Sequence, residues 1–398
     1  VSDFAFVIKR YDSDLTGGAE TIARRFSHQL AEEGYTVEIL TTCMRDYHDW
    51  HDIYSPGTDN VEGILVRRFP IWEGRNIEHY EWLSYRIGNR LTHSVEEEYQ
   101  WLHEGLHSPL LYHYLQRHGC EYGLVVILDY SVSLSIYALA ASAGRTVAWP
   151  LLHSEPFAYL PPVRRWLDAT HGIIFNVPPE RDFARLELGV NNPHTAIVGV
   201  GVETTLIGQA DRFRQKYAID HPFLLYVGRL DVAKNLSTLI TYFQRYKAVH
   251  NTDLKLVLIG QGPFRVTGHA DIVSLGFCPE EDKLDAYAAA LALCQPSLLE
   301  SLSIVVLEAL AQKTLVLVHG ANDVTRYHCL AGNCGLYFYA YEDFAWALNY
   351  LETQPDIRQQ LGENGRNYVL ENYTWEIVTR SLLAALDNFG CQPKPCRT

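Results

Sequence analysis

The sequence is short of basic charge, of long apolar runs and of ordered cysteine spacing, and each shortage excludes a class of protein. Thirty-three Lys and Arg face 47 Asp and Glu, for a formal net charge of −14 over 398 residues. A chain that grips nucleic acid would show a basic surface, so no nucleic-acid partner is expected. Net charge does not describe patches, and the paired Arg67–Arg68 and Arg164–Arg165 leave room for peripheral contact with the inner face of a membrane. No apolar run reaches the roughly 18 residues of a membrane-spanning helix. The opening Val1-Ser2-Asp3 lacks a basic region ahead of an apolar stretch, so Phe4–Ile8 is expected to be a first strand and not part of a leader.

The eight cysteines, Cys43, Cys120, Cys278, Cys294, Cys329, Cys334, Cys391 and Cys396, match no zinc template. Cys278 and Cys294 lie in or beside apolar strand-like runs, where buried thiols are common. Reduced thiols and a cytoplasmic setting follow. Cys391 and Cys396 flank Gln-Pro-Lys-Pro in a segment, 391–398, that reads as a disordered tail.

What is present is enough apolar material for two cores. Hydrophobic residues make up 47% and charged residues 20%, and one core seldom grows past roughly 250–300 residues. Short β-rich runs alternate with longer amphipathic stretches. In the first half they are Phe4–Ile8, Val37–Thr41, Ile64–Phe69, Leu124–Leu128, Val147–Leu152 and Gly172–Phe175. In the second they are Phe223–Val227, Leu256–Ile259, Ile272–Leu275, Ala292–Gln295, Leu315–Val318 and Leu336–Phe338. Apolar strands alternating with helices imply parallel sheets. The pattern runs twice, which predicts an α/β protein of two Rossmann-like, doubly wound domains facing across a cleft. The seam is expected near 201–222, with a polar helical linker over Leu206–Ala218. Residues 71–120, with Trp72, Trp82, Trp101 and the run Glu96-Glu97-Glu98, read as helical insertions on the first domain.

Ligands of such sheets bind beyond the carboxyl ends of the strands, so three strand-end loops matter most. The first ends in Gly17-Gly18-Ala19-Glu20 before a helix expected to reach about Glu33 and stop at Gly34. Paired glycines at a helix start let backbone amides approach an anion, although a plain tight turn would read the same. The second is Gly228-Arg229-Leu230-Asp231-Val232-Ala233-Lys234-Asn235, directly after the Phe223–Val227 run. A guanidinium fork and an ammonium at one strand end suit a diphosphate; a surface salt-bridge cluster is the alternative. The third runs from Gln295 through Glu300, Leu302, Ser303 and Ile304 to Glu308, with a helix expected to start near Leu302–Ser303. First-turn amides there would face an anion. Glu308 is an acid in an otherwise apolar helix and must be paired or hydrogen-bonded, either by ligand hydroxyls or by a structural Arg or Lys.

Glu300 and Glu308, seven residues between them, together with the upstream Gly-Arg-Leu-Asp-x-x-Lys-Asn, resemble the pattern of retaining glycosyltransferase family 4 on the GT-B type fold. Gly17-Gly18-Ala19-Glu20, Gly199-Val200-Gly201-Val202-Glu203, Gly260-Gln261-Gly262-Pro263, Gly276-Phe277-Cys278 and Tyr373-Thr374-Trp375 extend the resemblance in order along nearly the whole chain. It implies an acceptor-side domain over 1–203, joined by a closing helix at about 374–390, and a donor-binding domain over 204–373. It implies transfer of a hexose from a nucleoside-diphosphate sugar, UDP-linked by expectation, to a glycan or lipid-linked acceptor with retention of configuration. Arg229 and Lys234 would bind the diphosphate with the amides of Leu302, Ser303 and Ile304. Glu308 would hold the ribose and Glu300 the transferred sugar. Phe277 and Cys278 would meet the base, Gly17 and Gly18 would approach from the other domain, and His153 would touch the sugar. The family commonly has glycine where this chain has Ser303. No cofactor and no metal are expected: the Arg/Lys pair can neutralise phosphate, and Asp12-Ser13-Asp14 matches Asp-x-Asp only formally. A non-catalytic sugar-nucleotide scaffold on the same fold is the alternative. A nicotinamide oxidoreductase is disfavoured because no Gly-x-Gly-x-x-Gly follows the first strand.

Overall fold

The computed structural model describes residues 2–15, 17–46, 50–266 and 269–391; of the expected tail 391–398, Cys391 is described and is buried, and the rest, with Cys396, lies outside the described residues. The described residues divide into two compact units. One runs up to Gly199 and resumes at Thr379, and the other spans Val200–Val378. The chain returns to the first unit within the helix Trp375–Asn388.

Eight strands of the described residues form the first sheet: β1 Phe4–Val7, β2 Val37–Thr42, β3 Gly57–Val61, β4 Ile64–Phe69, β5 Leu124–Leu128, β6 Thr146–Trp149, β7 Gly172–Phe175 and β8 Thr195–Ile197. Their order is β3-β4-β2-β1-β5-β6-β7-β8, parallel throughout except for the β3–β4 pair. The central strands β1 and β5 are buried at every residue, as strands covered on both faces must be. The antiparallel β3, with the mostly exposed Gly-Thr-Asp-Asn-Val, has no apolar run to announce it. It exists because Glu62 and Gly63 both take positive φ, 52° and 88°, the geometry of a tight hairpin turn. The expected strand Val147–Leu152 ends early, at Trp149. Pro150 has no N–H to donate, and Leu151 takes φ 59°.

The insertion between β4 and β5 is helical, as Ile77–Gly88, Val95–Glu104 and Pro109–His118. The acidic run has a local purpose. Ser94 accepts from the Glu97 amide at 3.2 Å while Glu97 accepts from the Ser94 amide at 2.7 Å, a capping box with its acids at the positive helix end. Trp101 is buried under this insertion, whereas Trp82 is half exposed.

The second unit holds β9 Phe223–Val227, β10 Lys255–Ile259, β11 Ile272–Gly276, β12 Ala292–Gln295, β13 Val316–His319 and β14 Gly335–Phe338. All pair in parallel, in the order β11-β10-β9-β12-β13-β14. Numbered within the unit this is 3-2-1-4-5-6, the order of dinucleotide-binding sheets, with its reversal between β9 and β12. The loops after β9 and β10 lie against each other: Leu230 donates to the Gln261 carbonyl at 2.9 Å. A Cβ at Gly260, whose φ is +140°, would lie 1.9 Å from the Gly228 oxygen, so only glycine fits there. Among the described residues no helix is long and apolar enough to cross a membrane.

One buried acid ties the ends of β6 and β7. Glu180 accepts from the Leu152 amide at 2.7 Å and from the Asn176 amide at 2.6 Å. Burial pushes its carboxyl from 4.5 up to about 8, against the pull of those two donors. Between these values the folded chain keeps a proton that the unfolded chain has released, so stability falls as pH rises through that window. Denaturant unfolding of the wild type and of Glu180→Gln should therefore give a difference in favour of the wild type that is largest near about pH 5 and shrinks towards pH 8. A pH-independent difference would show that Glu180 is already ionised across that range.

Candidate active site

The loops that leave β9 and β12 meet at the strand-order reversal of the second unit. After β9, Asp231 caps a short turn, Val232–Lys234, by accepting from the Ala233 amide at 2.9 Å. The next residue, Asn235, takes φ 58° and starts the helix Leu236–Val249. Its side-chain amide donates to the Pro296 carbonyl in the loop after β12, at 3.1 Å. That clamp brings Lys234 to Glu300, with Nζ 2.7 Å from Oε1. The carboxylate is mostly buried and the ammonium keeps 27% exposure. Arg229 lies on the same loop but leans on Asp231, at 3.3 Å, with its guanidinium half exposed. Its carbonyl accepts from the Tyr226 hydroxyl at 2.8 Å. The expected cationic pair thus exists on one loop, each cation with its own carboxylate.

After Glu300 the helix begins at Ile304, two residues later than Leu302, with Ser303 as its N-cap at φ 64° and ψ 73°. This is the left-handed region, which costs a residue with a Cβ roughly 1–2 kcal/mol. The amides of Ile304 and Val305 open the first turn, where a helix offers no carbonyl of its own.

Glu308, buried in that helix, is paired within the protein. Its Oε2 lies 2.9 Å from Lys283 Nζ and 3.0 Å from the Tyr287 hydroxyl. Burial disfavours the Lys283 charge, but Glu308 and then Glu280 outweigh it, and the ammonium is held above its ordinary value. The sequence calls for such a partner without naming it. The signal was present: Lys283 and Tyr287 stand four apart in the helix Glu280–Ala289, one helical face. The remaining residues named from the sequence divide in accessibility. Phe277 is 64% exposed in the loop after β11, whereas Cys278 is buried with its sulfur 3.6 Å from the Tyr217 hydroxyl.

The first unit has its own reversal, between β1 and β5, and an ion pair there as well. Lys9 Nζ lies 2.7 Å from Asp129 Oδ2, both nearly sealed from solvent. The second Asp129 oxygen accepts from the Ser131 amide at 2.9 Å and hydroxyl at 2.6 Å. Gly17 and Gly18 open the helix Gly18–Glu32 as expected, but the protein's own carboxylate occupies the approach to Gly17. A Cβ on Gly17 would lie 1.8 Å from Glu20 Oε2, and Arg10 holds Glu20 at 2.5 Å. Gly18 has open space around it. His153 follows β6 on the segment held by Glu180. Its Nδ1 lies 3.8 Å from Glu155, which also accepts from Tyr130. Its carbonyl accepts from the Glu155 amide at 2.8 Å. Asp14 pairs with Arg45, and Asp12 lies 3.8 Å from Arg68.

Known proteins give this arrangement a context. Residues 209–368 match the family described as Glycosyl transferases group 1. An uncharacterized glycosyltransferase of Methanocaldococcus jannaschii is 22% identical over 94% of this chain and 95% of its own length. A D-inositol 3-phosphate glycosyltransferase of Kribbella flavida is 26% identical over 58% of this chain and 59% of its own. Among solved structures, sucrose-phosphate synthase from Thermosynechococcus elongatus superposes with a TM-score of 0.70 at 16% identity, over 97% of this chain and 98% of that one. Anabaena HepE in complex with UDP gives 0.70 at 14% identity, over 97% and 100%. The chain thus has the two parallel-sheet α/β units of the GT-B type fold, and its residues 209–368 are similar to the group 1 glycosyl transferases.

Proposed function

We propose that the chain transfers a hexose from a UDP-sugar to a glycan or lipid-linked glycan with retention of anomeric configuration. The observation that carries this reading is the Lys234–Glu300 pair across the β9/β12 reversal, 2.7 Å apart, beside the half-exposed Arg229. UDP is the natural probe because Anabaena HepE was solved with UDP and with UDP and glucose.

As the bond to the sugar breaks, negative charge grows on the bridging phosphate oxygen. Arg229, Lys234 and the amides at Ser303 and Ile304 stabilise it, and fixed donors of this kind usually supply the largest share of catalysis. Glu300 orients Lys234 and accepts from hydroxyls of the transferred sugar. Glu308 accepts from the ribose. His153 positions the transferred sugar. Proton transfer from the acceptor to the leaving phosphate requires no protein base on the opposite face. No metal enters this scheme.

Replacing Arg229 or Lys234 by Ala should weaken UDP binding about tenfold or more, since a charge-assisted contact is worth roughly 1.5–3 kcal/mol. Calorimetric titration checks this, and wild-type affinity in both variants would overturn the diphosphate assignment. Glu308→Gln should weaken both free UDP and the intact donor, whereas Glu300→Gln should act on the intact donor and on kcat. Equal losses of UDP affinity in the two would remove the division of roles. Proton NMR of fresh product from an α-linked donor should show an α linkage, with turnover unaffected by a chelator. A β linkage would require a general base, with His153 the first to test.

A further inference from the structure

Ser303 holds an unfavourable backbone conformation at the residue that begins the diphosphate-binding helix, and something must keep it there. Its φ of 64° fixes the plane of the peptide bearing the Leu302 carbonyl relative to the peptide bearing the Ile304 N–H. Relaxing φ to a negative value would swing one against the other. The Leu302 carbonyl is not turned to solvent. It points to His328, on the helix Asp323–Gly332 that follows β13, and lies 2.9 Å from Nε2.

The chemistry of that contact has one solution. A carbonyl only accepts, so Nε2 carries the proton and Nδ1 offers its lone pair. Nδ1 faces the Tyr368 hydroxyl at 3.0 Å, and that oxygen faces the Tyr373 hydroxyl at 3.2 Å. Donation therefore runs one way: Tyr373 to Tyr368, Tyr368 to His328, His328 to Leu302. His328 is fully buried, and burial lowers its pKa to about 4, so the ring stays neutral with a fixed tautomer. At the far end, the Tyr373 carbonyl accepts from the Val202 amide at 3.0 Å, anchoring the chain of bonds in the segment that opens the second unit.

We infer that His328 is a positioning residue for the donor diphosphate: it holds the Leu302 carbonyl, keeps Ser303 left-handed, and so fixes the amides of Ser303 and Ile304 where the diphosphate must meet them. The inference rests on the proposed donor site. Glycine at 303 would need no such hold, because it takes positive φ without steric cost. Serine does, and the buried imidazole supplies it.

Two residues can therefore be played against each other, with UDP affinity read by calorimetry and folding by thermal unfolding. His328→Leu should weaken UDP binding about tenfold, the equivalent of the left-handed cost at Ser303. His328→Asn, polar but too short to reach Leu302, carries the same expectation should the leucine variant not fold. His328→Gln can donate to Leu302 and accept from Tyr368, and should stay near wild type. Ser303→Gly should restore most of the affinity when combined with His328→Leu or His328→Asn, because glycine takes the positive φ without the hold. If the loss is the same in the Ser303→Gly background as in the wild-type one, or if both disrupting variants bind UDP like wild type, the inference is overturned. Lys234→Ala is measured alongside. If it too binds UDP like wild type, the donor-site reading fails and takes this inference with it; if it loses affinity while the His328 variants do not, only the role of His328 falls.

Discussion

The second unit depends on the reversal of strand order between β9 and β12. Neighbouring strands whose connections leave to opposite sides cannot cover the space above their own carboxyl ends, so a crevice opens there. Every charged group of the proposed donor site follows one of those two strand ends: Arg229 and Lys234 come after β9, and Glu300 and Glu308 after β12, with Ser303 between them. Both strands are buried along their whole length, so the lips of the crevice are fixed to rigid supports. Asn235 stitches the lips through the Pro296 carbonyl, and Lys234 closes the stitch on Glu300.

The two reversals carry the same kind of ion pair for different ends. In the first unit, Lys9 and Asp129 are nearly sealed, and Ser131 takes the second carboxylate oxygen. Burial pushes the Asp129 carboxyl up, but Lys9 outweighs it and holds the group below its ordinary value. Removing either partner would leave a buried charge alone, which is the costly case, so this pair acts as a clip between β1 and β5. Lys234 retains 27% exposure, and an ammonium has three donors. It can hold Glu300 and still meet an anion.

Much of this was legible in the sequence because apolar strands between polar helices leave a plain trace. Leu124–Leu128 and Phe223–Val227 keep their expected limits. Strand β6 reads too long in the sequence because Trp149 and Leu152 are equally apolar, and only Pro150 and the positive φ of Leu151 mark the break. Strand β3 is held by a turn and β8 has three residues, so neither shows an apolar pattern. Ser303 stands out in the sequence as a departure from glycine, but its left-handed backbone is a property of the fold. His328 was invisible: it stands 26 residues from the carbonyl it holds, across a helix, a strand and a loop, and no spacing rule connects them.

Glu308 shows why pairing within the protein and contact with a ligand need not compete. From the sequence, ligand hydroxyls and a structural cation are alternatives, since a carboxylate in an apolar helix must have one or the other. The structure supplies the cation, Lys283, and a tyrosine hydroxyl, and both approach Oε2. A carboxylate accepts at two oxygens and several lone pairs, so a partner within the protein and a ligand hydroxyl are not mutually exclusive. What Lys283 and Tyr287 provide is orientation and charge compensation before any ligand arrives. A ribose binding to such a carboxylate would not bear the cost of burying it, because folding has already met that cost.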